Sequence, residues 1–353
     1  METLKLHNQT VYVGIDVHKK SWSVSIFFCG MHHKTFTQAP HPQTLKLYLD
    51  RCFPAAQVIC AYECSRFGFW IARRLQSYGY QCLVVNAADI PTSQKEAHNK
   101  TDPVDSRKIG RCLQGGLLSG VHIPNADCEA DRQLVRYRKK VWSDLVRTKN
   151  RIKSLLALAG IEIPPQWDNP TWSKAFLHWL QTLPIPQASM RASLDLHLQQ
   201  YDLLEKHLRK AAIEARLLLR QSRYKQMGKL LQTIPGIGSL TALLILTELG
   251  DFSRFVSFKK LNSFVGFKPG SHSTGEQQHL GRITYRKHNQ LRSVLVESAW
   301  VAVGADPVMA VKYQELTKRM TGKRAIIVIA RKLLSRIAFV YRQRQPYQIG
   351  VVQ

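Results

Sequence analysis

Four carboxylates in the first third of the chain stand where they could hold metal ions. Asp16 follows a short apolar run, and Glu63 ends another. Asp102 and Asp105 are three residues apart at the predicted start of a helix, so both side chains point to one face of it. Clustered acids repel one another unless cations neutralise them, so such a cluster indicates a divalent metal site.

The elements that must position these acids follow from the hydropathy pattern. The predicted segments are strands at Val11–Asp16, Trp22–Phe28 and Thr35–Thr37, a helix at His41–Cys52, a strand at Val58–Tyr62, a helix at Gly68–Tyr78, a strand at Cys82–Asn86 and a helix at Asp102–Leu118. Three antiparallel strands followed by alternating helices and strands are typical of an α/β domain of the RNase H type.

In that topology the first and fourth strands lie side by side and the last helix packs across them. The four carboxylates would then converge, and we expect them to bind Mg²⁺, an ion that prefers oxygen ligands. Each acid also has a structural interpretation: Asp102 as a helix cap, Asp16 as a turn residue, and Glu63 as a solvated side chain. The joint placement on three elements that meet, in a chain with 24 acids, favours the metal site.

The net charge of the chain indicates a polyanionic partner. Its 51 Lys and Arg exceed its 24 Asp and Glu, which gives a formal charge of +27. The segment through Ala126 carries about +6 of this, so about +21 lies in the remainder. Lys and Arg side chains that neutralise phosphates release counterions, so nucleic acid is the expected partner. A basic surface that serves only solubility is the alternative.

The apolar segments and the cysteines indicate a cytoplasmic protein with no membrane partner. No stretch approaches the roughly 18–20 apolar residues of a membrane span, and the N-terminus lacks the apolar region of a secretory signal. All seven Cys lie between Cys29 and Cys128 without a CxxC pair, which predicts reduced thiols. Cys60 and Cys64 are better explained as buried thiols than as zinc ligands.

Long helices are predicted after residue 126. Apolar residues recur every three or four positions from Leu134 to Leu155 and again from Leu194 to Leu218. A Pro- and Trp-rich stretch at about 161–187 separates them and cannot continue a helix. The pattern leaves open an antiparallel hairpin, an oligomeric coiled coil, and two helices packed on their own domain.

A helix-hairpin-helix is predicted at Ile234–Gly238, where the sequence IPGIG separates two apolar helical runs. Gly236 and Gly238 would let the backbone turn tightly and would present N–H groups to a phosphate. A glycine-rich turn that does nothing more than connect two helices is the alternative.

Six segments resemble the DEDD-type insertion-sequence transposases, recombinases whose members use a guide (bridge) RNA. These segments are GIDVHKK, YECSRFGFW, NKTDPVDSRKI, IPGIG, VGFKPGSHSTG and GRITYRKHNQLRSVLVESAW. They run through nearly the whole chain in the family's order, and motifs this far apart are specific. The stretch at about 161–187 resembles an insertion between the coiled-coil helices, which suggests a subgroup.

The resemblance implies a RuvC-like domain that holds Mg²⁺ with Asp16, Glu63, Asp102 and Asp105. It also implies a C-terminal transposase domain with a nucleophilic serine that joins to a DNA 5′ phosphate. A serine hydroxyl needs an activator near neutral pH, and a bound metal could lower its proton affinity.

The family pattern for this serine is a proline, a few residues, and Ser before Gly in a loop. Here the segment is PGSHSTG at 269–275, and strict counting places Thr274 before the glycine. We expect Ser273 to be the nucleophile because a primary hydroxyl is less hindered than that of threonine. Thr274 and Ser271 are the alternatives. Without the family resemblance, this segment would be interpreted as a polar loop that has no catalytic role.

Basic residues beside the serine segment are expected to hold phosphates. The set around Tyr285 comprises Arg282, Arg286, Lys287, His288 and Arg292. A second set on the predicted last helix comprises Lys318, Arg319, Lys323, Arg324, Arg331 and Lys332. Long cations on helices are often only a solvated face.

The sequence therefore predicts three parts: a RuvC-like metal domain at 1–126, a helical coiled-coil region at 127–225, and a transposase domain at 226–353. The last is expected to be all-α, with a helix-hairpin-helix and a catalytic serine loop. The expected function is RNA-guided, Mg²⁺-dependent cleavage and rejoining of DNA during insertion and excision of a mobile element in the prokaryotic cytosol or nucleoid.

The expected partners are donor and target DNA, a non-coding guide RNA, and further copies of the chain in a dimer or tetramer. One rival is a RuvC-like nuclease that hydrolyses DNA with metal-activated water and needs no serine. The other is a non-catalytic nucleic-acid-binding scaffold in which the acids are incidental. The sequence leaves open the target and donor sequences, the RNA structure, and whether the serine acts in cis or in trans.

Overall fold

The computed structural model describes residues 9–94, 101–274, 277–284 and 287–350, and for those of residues 270–282 that it includes it describes the backbone alone. The chain divides into two compact units, one that ends at Ile123 and one that begins at Pro124. A further boundary between residues 225 and 226 stays a prediction.

The first unit is built on a five-stranded sheet with the order β3-β2-β1-β4-β5. The strands are β1 at Thr10–Val17, β2 at Trp22–Phe28, β3 at Met31–Gln38, β4 at Gln57–Glu63 and β5 at Gln81–Val85. β1 pairs antiparallel with β2 and parallel with β4, so the predicted adjacency of the first and fourth strands is confirmed. The three-strand meander followed by two parallel strands is the RNase H order that the sequence predicts.

Helices α1 at Pro42–Cys52, α2 at Trp70–Gln76 and α3 at Asp102–Gln114 complete this unit. The sequence predicts α3 through Leu118, but the helix ends at Gln114 because Gly115 and Gly116 follow, and Gly116 has a φ of +65°. Val11, Val13 and Ile15 of β1 are fully buried. Because helices cover the strand on both sides, β1 is apolar along most of its length rather than alternating.

α3 packs across β1, β2 and β4 at unusually close range. A Cβ added at Gly14 of β1 would lie 2.2 Å from the carbonyl oxygen of Ser106 and 2.3 Å from the amide nitrogen of Gly110. Only glycine fits at residue 14, because any side chain there would displace the helix backbone. The strand that ends near Asp16 and the helix that begins at Asp102 are therefore in direct backbone contact.

The cysteines are unpaired thiols in this structure. Cys60 is fully buried, as predicted, and burial raises the pKa of its thiol. Cys64 is exposed, so the prediction that both are buried is wrong for this residue: Cys64 follows the last residue of β4, where the chain leaves the core.

The second unit is predominantly helical. Its helices are α4 at Ala126–Leu158, α5 at Lys174–Thr182, α6 at Ala188–Leu219, α7 at Ser222–Leu231, α8 at Ser239–Leu249, α9 at Phe258–Val265, α10 at Asn289–Ala305, α11 at Pro307–Thr317 and α12 at Gly322–Gln343. Its main core surrounds α8, in which every residue from Ala242 to Leu249 is buried.

α4 and α6 pack against each other as an antiparallel hairpin. Lys149 of α4 lies beside Tyr201 of α6, whereas Arg138, earlier in α4, lies near Arg216, later in α6. The antiparallel hairpin that the sequence left open is therefore the arrangement within one chain. α4 begins at Ala126, before the apolar stripe, because the Asn125 side chain accepts a hydrogen bond from the backbone N–H of Cys128 at 2.7 Å.

The Pro- and Trp-rich stretch folds onto the ends of these two helices. It contains α5, which the sequence analysis did not predict, and Ser173 caps this helix through the backbone N–H of Phe176. Trp172 stacks on Tyr201 of α6 with ring centroids 5.1 Å apart. The stretch is therefore a packed aromatic cluster with a core of its own.

The prediction of an all-α C-terminal domain is wrong. β6 at Pro269–Thr274 and β7 at Gln277–Ile283 pair antiparallel, and they place the predicted serine loop in a strand. The preceding helix ends before Gly266, whose φ is +90°, and the segment from Pro269 carries too few apolar residues to build another.

No single helix among residues 9–94, 101–274, 277–284 and 287–350 is long and apolar enough to cross a membrane. Only together, as a pair bent by 106°, do α10 and α11 have the length and apolar composition of a membrane-spanning segment. Leu291, Leu295 and Met309 from these helices are buried in the core of the second unit.

Candidate functional site

The carboxylates of Asp16 and Asp102 meet where β1 ends and α3 begins. Asp16 pairs with Ser23 one residue before the end of β1, and Asp102 is the first residue of α3. His18 lies between them: its Nε2 atom is 3.1 Å from Asp16 Oδ2 and 3.5 Å from Asp102 Oδ1. One ligand-capable atom from each of the three residues lies within 4.8 Å of the others, a spacing that a single cation could bridge.

Asp105 lies one helical turn after Asp102 on the same helix. Its Oδ1 atom accepts a hydrogen bond of 2.7 Å from Lys108 Nζ, and both side chains are mostly buried. The next residue, Ser106, is fully buried, and its hydroxyl lies 3.0 Å from that of Ser23 and 2.9 Å from that of Ser25 on β2. This layer of hydroxyls fixes α3 to the sheet directly behind the acids.

Glu63 is the last residue of β4 and is exposed. Asp16 and Glu63 each follow directly after the paired residues Ile15 and Tyr62 of the two parallel strands. They therefore occupy equivalent positions on neighbouring strands. The cluster of ligand-capable atoms formed by Asp16, His18 and Asp102 does not include Glu63 or Asp105.

The electrostatics of the cluster fit a bound cation. Burial raises the pKa of the Asp16 carboxyl above its ordinary value, the charge and the hydrogen bond of His18 oppose this rise, and the negative charges of Asp102 and Asp105 add to it. A cation beside these groups would remove the repulsion that the last two contributions describe. Carboxylate oxygens suit a hard divalent ion, while an imidazole nitrogen broadens the choice toward transition metals.

His18 is the residue of this site that the sequence analysis did not single out. It lies in the quoted segment GIDVHKK, two residues after Asp16, and half of its side chain is exposed. The signal in the sequence that could have identified His18 is its spacing from Asp16, because a residue two positions after an acid at a strand end can fold back onto that acid.

Ser273 lies in β6, where its Cα is paired with that of Gln278 in β7. Thr274 is paired with Gln277 and Ser271 with Leu280, and the register shifts between Pro269 and Ser271. All three candidate nucleophiles therefore lie on one strand of a hairpin.

The base of this hairpin is attached to the helical core. The backbone N–H of Thr284 donates to the Lys268 carbonyl at 3.3 Å, and Arg292 Nη1 donates to the Thr284 carbonyl at 3.4 Å. His288 caps α10 through the backbone N–H of Leu291, and its Nε2 atom lies 3.1 Å from Glu248 Oε2. His288 and Arg292 were expected to hold phosphates, but both have partners within the protein.

Glu248 is a buried carboxylate that the sequence analysis missed, because it occurs in a helix that is otherwise almost wholly apolar. Burial alone would raise the pKa of this carboxyl, but hydrogen bonds with His288 and Arg136 and their charges outweigh it and lower the pKa to about 2. The group is therefore a fixed negative charge that joins α4, α8 and the start of α10.

The IPGIG turn connects α7 to α8. Gly236 has a φ of +84°, and a Cβ there would lie 2.3 Å from the carbonyl oxygen of Ser298 in α10, so this glycine is required for packing as well as for the turn. Gly238 is the N-cap of α8, has no side-chain cap, and has open space around the position of a Cβ. The first N–H groups of α8 therefore lack a side-chain acceptor from the cap residue.

The remaining predicted phosphate contacts differ in exposure. Lys287 is exposed, the Arg282 side chain and all of Arg286 lie outside the described residues, and Arg331 is half-buried. Of the set predicted on the last helix, the remaining cations Lys318, Arg319, Lys323, Arg324 and Lys332 are exposed, and Lys318 and Arg319 precede that helix.

Two models of known protein families match parts of the chain. Residues 13–161 match the DEDD transposase model of the IS110 group, and residues 228–314 match the model described as transposase IS116/IS110/IS902 family. The first match spans Asp16, Glu63, Asp102 and Asp105, and the second spans the IPGIG turn and the β6–β7 hairpin.

The chain is also similar to named proteins. It is 28% identical to the putative transposase y4qE of Sinorhizobium fredii over 82% of this chain and 71% of the relative. It is 24% identical to the transposase for insertion sequence element IS1533 of Leptospira borgpetersenii over 95% of this chain and 97% of the relative. A segment covering 34% of this chain is 38% identical to the pilin gene-inverting protein of Moraxella bovis, of which it covers 38%.

Two family models thus match successive parts of the chain, and a transposase is similar to the chain over nearly its whole length. The chain belongs to the IS110/IS116 family of DEDD transposases, enzymes of DNA recombination.

Proposed function

We propose that the chain cuts and rejoins DNA at a metal-dependent site built on Asp16, Glu63, Asp102 and Asp105, with Ser273 as the nucleophile. The observation that carries the proposal is the approach of Asp16 and Asp102 across the direct backbone contact of β1 and α3. The acids would hold Mg²⁺, which when bound polarises the scissile phosphate and lowers the proton affinity of a hydroxyl.

The residues of the chain have separate tasks in this reaction. Asp16 and Asp102 converge from two elements, and Glu63 stands at the equivalent strand end. Lys108 forms an ion pair with Asp105. We propose that Asp105 exchanges this lysine for the metal ion.

The strand exchange needs no energy source beyond the DNA itself. The Ser273 oxygen forms a bond to the scissile phosphorus, the bond from phosphorus to the 3′ oxygen breaks, and that oxygen leaves as a 3′ hydroxyl after taking up a proton. Rejoining reverses the step, when a 3′ hydroxyl attacks the phosphoserine and releases the serine. One phosphodiester is exchanged for another, so ATP is not required.

Nucleic-acid contacts would come from the second unit. We propose that the helix-hairpin-helix formed by α7, the IPGIG turn and α8 offers the uncapped N–H groups of α8 to a phosphate. Lys287 and the exposed cations of α12 add to this surface. Guidance by an RNA rests on the resemblance to the family, and the charge of about +21 after Ala126 is compatible with RNA as well as with DNA.

We also propose that the chain acts as a homo-oligomer through the α4–α6 hairpin. Leu196, Leu203 and Leu217 of α6 are 65%, 53% and 49% exposed although they are large and apolar. Their spacing in multiples of seven is the repeat with which coiled coils join helices. A second copy would cover this stripe as a dimer or as part of a tetramer.

The decisive experiment follows labelled DNA after the full-length protein, Mg²⁺ and DNA from the ends of the element have reacted. A serine nucleophile leaves DNA attached to protein in a band that survives boiling in detergent and disappears with protease. A RuvC-like hydrolase would give free ends and no such band. A binding scaffold would give no cleavage and no response to the metal. Sequencing the RNA that copurifies with the protein would test guidance by an RNA. If the protein is RNA-guided, one discrete non-coding RNA should copurify with it.

A further inference from the structure

A cavity in the second unit combines an apolar floor with positive charge. It has a volume of about 230 Å³ and lies where α4, α6, α8 and α10 meet. Its apolar lining comprises Val135, Ala215, Leu240, Leu243, Leu244 and Val294. Drug-sized ligands occupy pockets of about 300–1,000 Å³, so this cavity suits a smaller group such as one planar ring.

Arg138 lines this cavity, and one nitrogen of its guanidinium lacks an acceptor in the described part of the chain. Its Nε atom is enclosed and has no hydrogen-bond partner among the residues that the structure describes. Burial and the nearby charge of Arg216 lower the pKa of its guanidinium, so the charged form is held at a cost. Buried donors are nearly always paired in folded proteins, so this N–H is an exception, and a small rotation of the side chain would let it meet an acceptor in the cavity.

Lys139 and Trp142 lie beside Arg138 in the cavity lining. The Lys139 ammonium lies 3.6 Å from the centre of the Trp142 ring, and 42% of Trp142 is exposed. Burial lowers the pKa of Lys139, while the charge of Glu297 opposes this shift. The cavity lining therefore combines two cations and one acid with an indole, one face of which is covered by Lys139.

We propose that this cavity binds one unpaired nucleotide, with its base on the apolar floor and its acceptor atoms facing Arg138. An apolar ligand would leave the guanidinium unpaired, and a bare phosphate would leave the floor and the indole unused. Unpaired bases stack on aromatic and guanidinium groups in many nucleic-acid-binding proteins. The same chemistry is available in a bulged or looped RNA and in a distorted DNA strand, and the site does not depend on Ser273.

The test compares full-length protein bound to a short fully paired duplex with protein bound to the same duplex carrying one unpaired adenosine. RNA and DNA versions are measured separately, together with a duplex whose extra residue has no base. The proposal predicts about fivefold to tenfold tighter binding of at least one bulged duplex, and no such gain for the baseless residue. A gain with RNA alone or with DNA alone identifies the source of the nucleotide.

Two variants test whether the preference for the bulged duplex arises from this cavity. Arg138→Met removes the unpaired donor, and Ser293→Phe fills the cavity from α10, so each should abolish the preference for the bulged duplex. Lys140→Met, which removes a charge from an exposed position on the same helix, should retain it. Thermal unfolding confirms that each variant is folded, and Ser293→Phe remains a valid test if Arg138→Met does not fold.

Equal affinity of the wild type for paired and bulged duplexes would overturn the proposal. So would a preference that survives both cavity variants. If Ser293→Phe changed the oligomeric state while the wild type showed no preference, the cavity would instead receive a side chain from a second copy of the protein.

Discussion

The guanidinium of Arg136 forms two parallel hydrogen bonds with the carboxylate of Glu248, each 2.7 Å long. Paired, charge-assisted bonds of this kind have a fixed geometry and are stronger than bonds between neutral groups. The same carboxylate contacts His288, which begins α10 directly after the hairpin that contains Ser273. The long helix α4 is thereby joined to the base of the proposed catalytic hairpin through one buried charge.

Stability of the second unit should fall in acid because of Glu248. The pKa of this group is about 2 in the folded protein and 4.5 as the ordinary value, so its contribution is complete above about pH 4.5 and is lost as the pH falls toward 2. The difference corresponds to at most about 3 kcal/mol of unfolding free energy.

Urea unfolding of the wild type and of Glu248→Gln at several pH values would measure this contribution. The gap between the two proteins should be largest near neutral pH and should narrow in acid. Glu214→Gln, at an exposed position, is the matched control and should leave the profile unchanged. A gap that stays constant with pH would show that the charge of Glu248 is not what stabilises the unit.

Removing either converging acid should abolish strand cleavage. Asp16→Asn and Asp102→Asn keep the size of the side chain but withdraw a negative oxygen ligand, so we expect cleavage to fall at least about a hundredfold with DNA binding nearly unchanged. EDTA should have the same effect, and added divalent metal should reverse it.

Asp50→Asn is the control for these two variants, because Asp50 lies in the same unit and interacts with Lys46 and Tyr80 rather than with the cluster. It should cleave like the wild type. Normal recombination by Asp16→Asn would refute the metal site.

The identity of the nucleophile can be decided by two alanine variants. Ser273→Ala should lose the covalent adduct and strand cleavage together, because the attacking hydroxyl is removed, while DNA binding persists. Thr274→Ala should retain most activity. The reverse result would show that strict counting from the family pattern gives the nucleophile, and if both variants were active without an adduct the hydrolytic mechanism would be correct.

Binding to DNA should weaken steeply with salt. A protein that contacts six or more phosphates loses about three orders of magnitude or more in affinity between roughly 50 and 200 mM salt. Replacing Lys323 and Arg324 together by alanine should reduce the slope of log affinity against log salt by about two. Lys206→Ala, at an exposed residue of α6 paired with Asp202, should leave that slope unchanged. A slope near zero for the wild type would contradict a phosphate-binding role for the positive charge.

The α/β unit was largely predictable because its elements are local and strongly patterned. The hydropathy pattern is sufficient to predict the apolar strands β1, β2 and β4. Their order then leads directly to the placement of Asp16 beside Asp102. His18 was not predicted as a member of the site, because its role depends on a side chain that folds back across the strand end. The periodicity of apolar residues gives no information about such a side-chain contact.

The second unit was less predictable for physical reasons that differ from place to place. β6 consists largely of Gly, Ser, His and Thr, so its sequence favours a loop, and pairing with β7 makes it a strand. α5 lies in a Pro- and Trp-rich stretch, where aromatic packing overrides the local composition. Glu248 lies in an apolar helix whose composition predicts core packing, and the partners that make its burial tolerable come from segments more than a hundred residues before it and forty after it.

The contact between Gly14 and the backbone of α3 has a consequence for how the enzyme can evolve or be engineered. Because no side chain separates strand from helix, the spacing of Asp16 and Asp102 is set by two backbones in contact and not by the rotamers of a repackable core. Core substitutions away from α3 should therefore leave this contact in place, whereas changes to the hydroxyl layer of Ser23, Ser25 and Ser106 would not. Variation at residue 14 would change that separation at once, so a mutagenesis library intended to alter DNA specificity should hold Gly14 constant.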